Sequence, residues 1–260
     1  MSSLQEEYNY AVAELRRTRP PRTWYFLGTT LFGIIAHGAS VLGAMLTIFV
    51  LLVWYDIPLS IPTADLRSLM HQAGWMALAM IVSCPFTLGV IWLATRIARQ
   101  SFADYLALRW PTGRELVRAL ALMLAVLLVW FVTGWSIGQR ASEFAIDSYR
   151  SAKASGWLAV YVAALVVFVP ISEEFVVRGF MFRGWSQSFL GPVGAILLTS
   201  VVWTALHIQY NAFYLSEIFA IGLVLGFFRW RTESTWLTTI VHAAINLASL
   251  IQTAVILAYV

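Results

Sequence analysis

Seven long apolar runs decide what this chain of 260 residues can fold into. They fall at about 26–55, 73–97, 116–138, 157–188, 193–210, 214–230 and 235–258. A helix needs about 20 apolar residues to cross a bilayer, and several of these runs reach that length. Charged residues make up only 12% of the chain, against about 25% in soluble domains. We therefore predict an all-α polytopic transmembrane bundle of about seven (six to eight) membrane helices.

The basic residues lie mainly in the polar gaps between these runs. When alternate gaps are placed on the cytoplasmic side, only Arg67, Arg140, Arg150 and Lys153 fall outside. Because short cytoplasmic loops are rich in Arg and Lys, this distribution predicts a cytoplasmic N-terminus and an outer C-terminus. The net charge of +4 reflects the same bias, so it does not indicate a nucleic-acid partner.

The chain shows no internal repeat and no low-complexity linker, which favours a single bundle. We divide it into a cytoplasmic segment, 1–25, N-terminal membrane helices, 26–156, and membrane helices that carry the predicted site, 157–260. Pro170 lies inside the fourth run and predicts a kinked helix, because proline removes a backbone hydrogen bond. Gly222 and Gly226 predict a close contact between helices.

Two adjacent glutamates, Glu173 and Glu174, interrupt the fourth apolar run. A charge at the centre of a membrane helix costs at least about 2.5–3.5 kcal/mol, so such residues usually have a function. Glu174 and Arg178 are four positions apart and share one helical face. We predict that they form a buried ion pair. Glu173 lies about 100° around the helix and remains free to act.

Polar pairs at helical spacing recur in two later runs. His207 is followed by Asn211, and His242 by Asn246. A lone histidine in a helix usually has a structural role, and the other two histidines of the chain take that interpretation. Since three polar clusters occur in one half of the chain, we expect His207 and His242 to meet Glu173.

The expected depths of these residues in the membrane constrain the fourth helix. With a rise of about 1.5 Å per residue, Glu173 and His207 reach similar depths if that helix continues to about Ser188. If it ended at Arg178, the two residues would lie near opposite faces of the membrane. The polar clusters therefore predict a long fourth helix.

Two carboxylates, two imidazoles and an amide in a partly dry site indicate hydrolysis. Glu173 and His207 can hold and deprotonate a water molecule. His242 and Asn246 can donate hydrogen bonds to the oxyanion of a tetrahedral intermediate. The same side chains allow a second interpretation, a zinc ion bound by Glu173, His207 and His242, and spacing alone does not decide between the two.

Three motifs occur in an order that resembles a known family. They are Glu-Glu-x-x-x-Arg-Gly at 173–179, an aromatic residue four positions before His at 203–207, and His-x-x-x-Asn at 242–246. Over about 165–250, the chain resembles the CPBP or ABI family, which includes type II CAAX prenyl proteases and bacteriocin-processing or immunity proteins. Trp203 departs from the usual Phe, and we expect this aromatic side chain to pack rather than react.

The resemblance implies a glutamate-dependent intramembrane endopeptidase that needs no metal. It implies that Glu173 and His207 activate water, that His242 and Asn246 form the oxyanion site, and that the predicted ion pair supports them. The implied substrate is a peptide or protein, lipidated or membrane-embedded, and the implied location is the plasma (inner) membrane of a bacterium. The rival hypothesis is a non-catalytic immunity factor, chaperone or transporter that uses the polar residues for binding.

Overall fold

The computed structural model describes Gln5 and residues 22–259, and within 22–259 every regular element is a helix. In chain order these are α1 (Tyr25–Trp54), α2 (Thr63–Met70), α3 (Ala73–Ile97), α4 (Phe102–Leu106), α5 (Gly113–Ser136), α6 (Glu143–Ala154), α7 (Leu158–Ser186), α8 (Gly191–Ala205), α9 (Ala212–Thr232) and α10 (Thr235–Tyr259). Six of them, α1, α3, α5, α7, α9 and α10, are long and apolar enough to cross a membrane. The predicted polytopic helical bundle is confirmed.

The N-terminal and C-terminal helices share one core. Ala36 of α1 and Ile91 of α3 are buried in the same cluster as Phe180 of α7 and Ala195 of α8. We predicted a boundary between the N-terminal membrane helices, 26–156, and the helices that carry the site, 157–260. This boundary lies just before α7, and it stays a prediction. Most of the predicted cytoplasmic segment, 1–25, lies outside the described residues.

Helix α8 is shorter than the apolar run that predicted it. Its 15 residues extend about 22 Å, less than the roughly 30 Å of a bilayer core. The chain turns after Ala205 because Asn211 caps the next helix, where its side-chain oxygen accepts from the N–H groups of Phe213 and Tyr214. The expectation that His207 and Asn211 share one helical face is therefore wrong.

The loops divide the bundle into two ends. At one end, the N–H of Thr235 donates to the carbonyl of Ala107 at 3.0 Å. At the other, the side-chain amide of Asn211 donates to Gln139 at 3.0 Å. This arrangement follows the predicted alternation of the gaps, and the cytoplasmic identity of the first end stays a prediction.

Gly222 and Gly226 bring α9 close to α8, as the sequence predicts. A Cβ atom at Gly222 would lie 3.0 Å from the Cβ of Ser200. A Cβ atom at Gly226 would lie 3.0 Å from Cγ2 of Ile196. Any larger residue at either glycine would press on its neighbour in α8.

Helix α7 continues past Arg178 to Ser186, which confirms the predicted long fourth helix. It is not uniform, because two stretches widen into π-helical turns. The first covers Ala164–Phe168 and ends just before Pro170, and the second covers Phe175–Met181. Regular α-helical bonding is therefore interrupted just before Pro170, and the predicted kink at this residue stays a prediction.

The first π turn leaves the carbonyl of Leu165 without its usual donors. The N–H of Val169 donates to Ala164, five residues back, and Pro170 has no N–H. The side-chain amide of Asn246 in α10 donates to Leu165 instead, at 2.8 Å. A polar residue from another helix thus completes the hydrogen bonding of α7.

The second π turn is completed in the same way. The N–H of Phe182 donates to Val177, five residues back. When α-helical spacing resumes after it, the carbonyl of Arg178 is left without a backbone donor from its own helix. Nε of Arg229 in α9 donates to this carbonyl at 2.9 Å, and the Arg229 side chain is buried. Helices α9 and α10 therefore each hold one π turn.

Candidate active site

Glu174 and Arg178 form the predicted ion pair in the interior of the bundle. Oε1 of Glu174 lies 2.8 Å from Nη1 of Arg178, and both side chains are fully buried. The same oxygen lies 3.0 Å from Nδ1 of His242. Because an ionised carboxylate only accepts hydrogen bonds, Nδ1 carries the proton, and Nε2 of His242 remains for water or substrate.

Trp203 holds Glu173, a contact that the sequence analysis missed. The indole N–H of Trp203 donates to Oε2 of Glu173 at 2.6 Å. Trp203 is buried, with 3% of its surface exposed, and Glu173 is half-buried. A hydrogen bond to an ionised acceptor is among the strong ones, especially where water is scarce. The sequence did contain a signal for this contact, which is the tryptophan four positions before His207. Unlike phenylalanine, tryptophan carries an N–H donor on its ring.

His207 lies in the turn after α8, one residue beyond the helix cap. Its Nδ1 is 2.7 Å from the carbonyl oxygen of Trp203. A carbonyl only accepts, so Nδ1 carries the hydrogen and Nε2 keeps its lone pair. Trp203 therefore bonds to Glu173 through its side chain and to His207 through its backbone.

The indole ring of Trp203 also contacts the other half of the site. Its centroid lies 5.1 Å from that of His207 and 5.3 Å from that of His242, both in edge-to-face geometry. The guanidinium carbon of Arg178 lies 4.5 Å from the ring centroid, a cation–π contact. Trp203 thus contacts four of the predicted site residues, which are His207, His242, Arg178 and, through its hydrogen bond, Glu173.

One of the two N–H groups of the Asn246 side chain is already hydrogen-bonded within the protein. Its amide nitrogen donates to Leu165 in the first π turn, as described above. A side-chain amide has two N–H groups, so one donor remains. The residue also lines the cavity that His207 and His242 share. Asn246 can therefore serve both the helix and a ligand.

A cavity of about 310 Å³ lies next to these residues. It extends from Trp203 and His242 inside the bundle to the loop at 139–142. The structure brings His207, His242 and Asn246 to its wall. Glu173 does not line the cavity, and its link to the wall is the hydrogen bond from Trp203.

The zinc alternative requires Glu173, His207 and His242 to converge. Within the described part of the chain, no group of three or more His, Cys, Asp or Glu side chains has the arrangement of a metal site. Each of the three side chains forms one hydrogen bond to the protein, which leaves Nε2 of each histidine and Oε1 of Glu173 unused, but these three atoms are not gathered into one site. These residues do not fit a zinc ion in this geometry, and no step proposed below passes through one.

A helical bundle with a buried polar centre among its C-terminal helices defines an integral multi-pass membrane protein. Residues 155–248, which include α7, α8, α9 and much of α10, match the family described as type II CAAX prenyl endopeptidase Rce1-like. This match confirms, over residues 155–248, the resemblance that the motifs suggested. No curated protein and no solved structure matches the chain significantly.

Proposed function

We propose that the protein is a glutamate-dependent intramembrane endopeptidase that hydrolyses a peptide bond without a metal ion. The observation that carries this proposal is the double contact of Trp203, whose indole N–H bonds to Glu173 and whose carbonyl bonds to His207. A carboxylate and an imidazole attached to one buried residue are held in fixed relation to each other. Such an arrangement is what activation of a water molecule needs.

In the proposed reaction, Glu173 is the general base. Trp203 occupies its Oε2, so Oε1 accepts a proton as the water oxygen attacks the carbonyl carbon of the substrate. Nε2 of His207 accepts the second hydrogen bond of that water. Glu173 then returns the proton to the amine that leaves as the C–N bond breaks.

His242 and Asn246 are the proposed donors to the oxyanion. Since Nδ1 of His242 bonds to Glu174, donation from Nε2 requires the imidazolium form. That positive charge suits the site, because Glu173, Glu174, Arg178 and His242 then sum to zero. The remaining N–H of Asn246 supplies a second donor. The adjacent carboxylates thus divide into a base and a counter-ion.

The proposed substrate is a peptide or protein, lipidated or membrane-embedded. The proposed location is the plasma (inner) membrane of a bacterium, with a cytoplasmic N-terminus. The distribution of Arg and Lys among the loops supports this orientation. The apolar walls of the cavity support a substrate that arrives from the bilayer.

Paired substitutions test the proposed function. Membrane proteomes of cells that express the unsubstituted protein or Glu173→Gln identify a cleaved substrate, which then serves in assays with purified protein. We expect Glu173→Gln and His207→Ala each to lower the cleavage rate at least about a hundredfold. Glu143→Gln and His71→Ala change exposed residues outside the cavity and should retain activity. Full activity of either site variant at matched expression would contradict the proposal.

The non-catalytic alternative has one observation in its favour. Glu173 does not line the cavity, whereas the two histidines do. A membrane protein that only binds a partner, such as an immunity factor, a chaperone or a transporter, would use the histidines and not the base. In that case Glu173→Gln would leave the biological function intact while His207→Ala removed it.

A further inference from the structure

Glu217 is a half-buried carboxylate that the proposed reaction does not use. It belongs to the membrane-crossing helix α9 and lines the same cavity as His207 and His242. Within residues 22–259, no basic side chain forms an ion pair with it. An ionisable residue inside a membrane is costly, which makes an unpaired one a candidate for binding a ligand.

Tyr214 supplies a second unpaired polar group near this carboxylate. Tyr214 lies one helical turn before Glu217 on the same face of α9 and also lines the cavity. Its hydroxyl oxygen is buried and has no hydrogen-bond partner among the described residues. An unpaired hydroxyl group therefore lies one helical turn from the unpaired carboxylate.

Tyr210 connects this region to the proposed reaction centre. Burial raises the pKa of Tyr210, and negative charges on Tyr161, Glu173 and Glu217 raise it further. Tyr210 and Glu217 line the same cavity. Tyr210 also stacks on His207, with ring centroids 6.1 Å apart. A group bound at Glu217 would therefore share one cavity with His207.

The remaining wall of the cavity determines what kind of molecule fits. Leu124, Leu127 and Leu128 of α5 form an apolar side, and Ile218 and Ile221 extend it along α9. A cavity of this kind suits a ligand that is apolar over most of its length and cationic at one point. Since amines and guanidinium groups are cationic and donate several hydrogen bonds, either can bond to the Glu217 carboxylate while the apolar part of the ligand lies against these side chains.

Apart from the two histidines, the cavity wall contains one basic side chain, which needs separate consideration. Arg140 lines it near the loop at 139–142. Its guanidinium carbon lies 4.7 Å from the ring centroid of Trp135, in a cation–π contact. Arg140 forms no ion pair with Glu217 within the described part of the chain. The carboxylate is therefore left to an incoming group.

We propose that Glu217 is the anionic centre of a subsite that binds an amine or guanidinium group on an otherwise apolar peptide. The subsite would give the enzyme a preference for a basic residue close to the cleaved bond. This specificity rests on the proposed proteolytic function, since it assigns a substrate class to the same cavity.

Binding of defined peptides to a variant that cannot cleave tests this subsite. The protein with Glu173→Gln is placed in lipid nanodiscs and titrated with fluorescent apolar peptides. Each peptide carries one Lys, scanned through all positions, and is compared with the same peptide carrying norleucine, which has a similar length and no charge. The same titrations use Glu217→Gln in this background, and Glu143→Gln as the matched control for loss of an exposed carboxylate.

We expect the best Lys peptide to bind about tenfold more tightly than its norleucine counterpart, the size of effect that a hydrogen bond between charged groups produces. Glu217→Gln should remove this difference, and Glu143→Gln should retain it. The subsite is refuted if Lys and norleucine peptides bind equally, if none binds, or if the preference survives Glu217→Gln.

Cleavage assays of the same peptides with the unsubstituted protein, set beside these titrations, separate this proposal from the proposed reaction. Cleavage by the unsubstituted protein without any Lys preference would refute the subsite and leave the protease standing. A Lys preference that depends on Glu217, in a protein that cleaves no peptide of the series, would refute proteolysis of such peptides and leave the subsite standing.

Discussion

Oε2 of Glu173 lies 2.6 Å from the indole nitrogen of Trp203, thirty positions later in the chain. This hydrogen bond fixes one carboxylate oxygen and leaves the other to act. Trp203 is therefore a positioning residue in the proposed reaction, although it would not touch the substrate bond.

Replacing Trp203 with Phe tests this relationship with little change in shape. Trp203→Phe keeps an aromatic ring beside the two histidines but removes the N–H donor. Since hydrogen bonds to charged groups contribute about 1.5–3 kcal/mol, we expect cleavage to slow roughly tenfold to a hundredfold. The measurement is kcat and KM on the identified substrate, and the loss should appear mainly in kcat.

The control for this substitution is Trp185→Phe. The indole of Trp185 is as buried as that of Trp203 and donates to Thr30 at 3.1 Å, away from the cavity. It should lower stability without lowering kcat. Equal effects of the two substitutions on kcat would show that Trp203 contributes only to packing.

The buried ion pair should be more important for stability than an exposed one. Glu174→Gln leaves the guanidinium of Arg178 buried without its partner, which typically costs about 3–5 kcal/mol. The free energy of unfolding, measured by titration with a denaturing detergent, should fall by that order. The double variant Glu174→Gln, Arg178→Met removes the unpaired charge and should recover part of the loss. A single variant as stable as the unsubstituted protein would contradict this account.

Asn246 and Pro170 should be coupled through the carbonyl of Leu165. Asn246→Ala leaves this carbonyl without a donor, which we expect to cost about 1–3 kcal/mol of unfolding free energy. Pro170→Ala supplies a new N–H five residues after Leu165, the spacing of a π turn. In that background the cost of Asn246→Ala should be clearly smaller, as a double-mutant cycle would measure.

Additive effects in this cycle would show that Asn246 does not serve the helix. A loss of activity without any loss of stability would then assign the residue to the oxyanion site alone. The two roles are therefore separable by measuring unfolding and cleavage on the same four proteins.

Removal of metal ions tests the remaining alternative. In the proposed reaction a carboxylate activates the water, so cleavage should persist after exhaustive treatment with chelators. Purified protein should carry no stoichiometric zinc when measured by elemental analysis. Loss of activity that added zinc restores would instead favour coordination by Glu173, His207 and His242.

Much of the bundle follows from the sequence, because the hydrocarbon core imposes simple requirements on length and polarity. The predicted run 73–97 coincides with Ala73–Ile97, and the predicted length of the fourth helix is close to Leu158–Ser186. The Glu174–Arg178 pair was predictable for a similar reason. A buried guanidinium requires an anion, and Glu174 is the carboxylate that lies four positions earlier on the same face of the helix.

The contacts that distinguish this site depend on tertiary structure. Spacing rules assume 3.6 residues per turn, and they do not anticipate π turns or the end of α8 at Ala205. The end of α8 removed His207 from its predicted helix. The bond from Trp203 to Glu173 joins two different helices, so no local pattern reveals it. Asn246 was recognised as a polar residue in a membrane helix, but its partner Leu165 is an ordinary apolar residue whose side chain gives no signal.

The two π turns of α7 also determine how the chain tolerates changes in length. A π turn behaves as an α-helix with one inserted residue. Deleting a single residue between Phe175 and Met181 would allow normal α-helical spacing to return and would turn one end of α7 by about 100° relative to the other. Glu173 would then point away from Trp203, although every side chain of the site was still present. Substitutions at many apolar positions of α7 should be harmless by comparison. The geometry of the site therefore depends more on the exact number of residues in α7 than on the identity of each apolar residue.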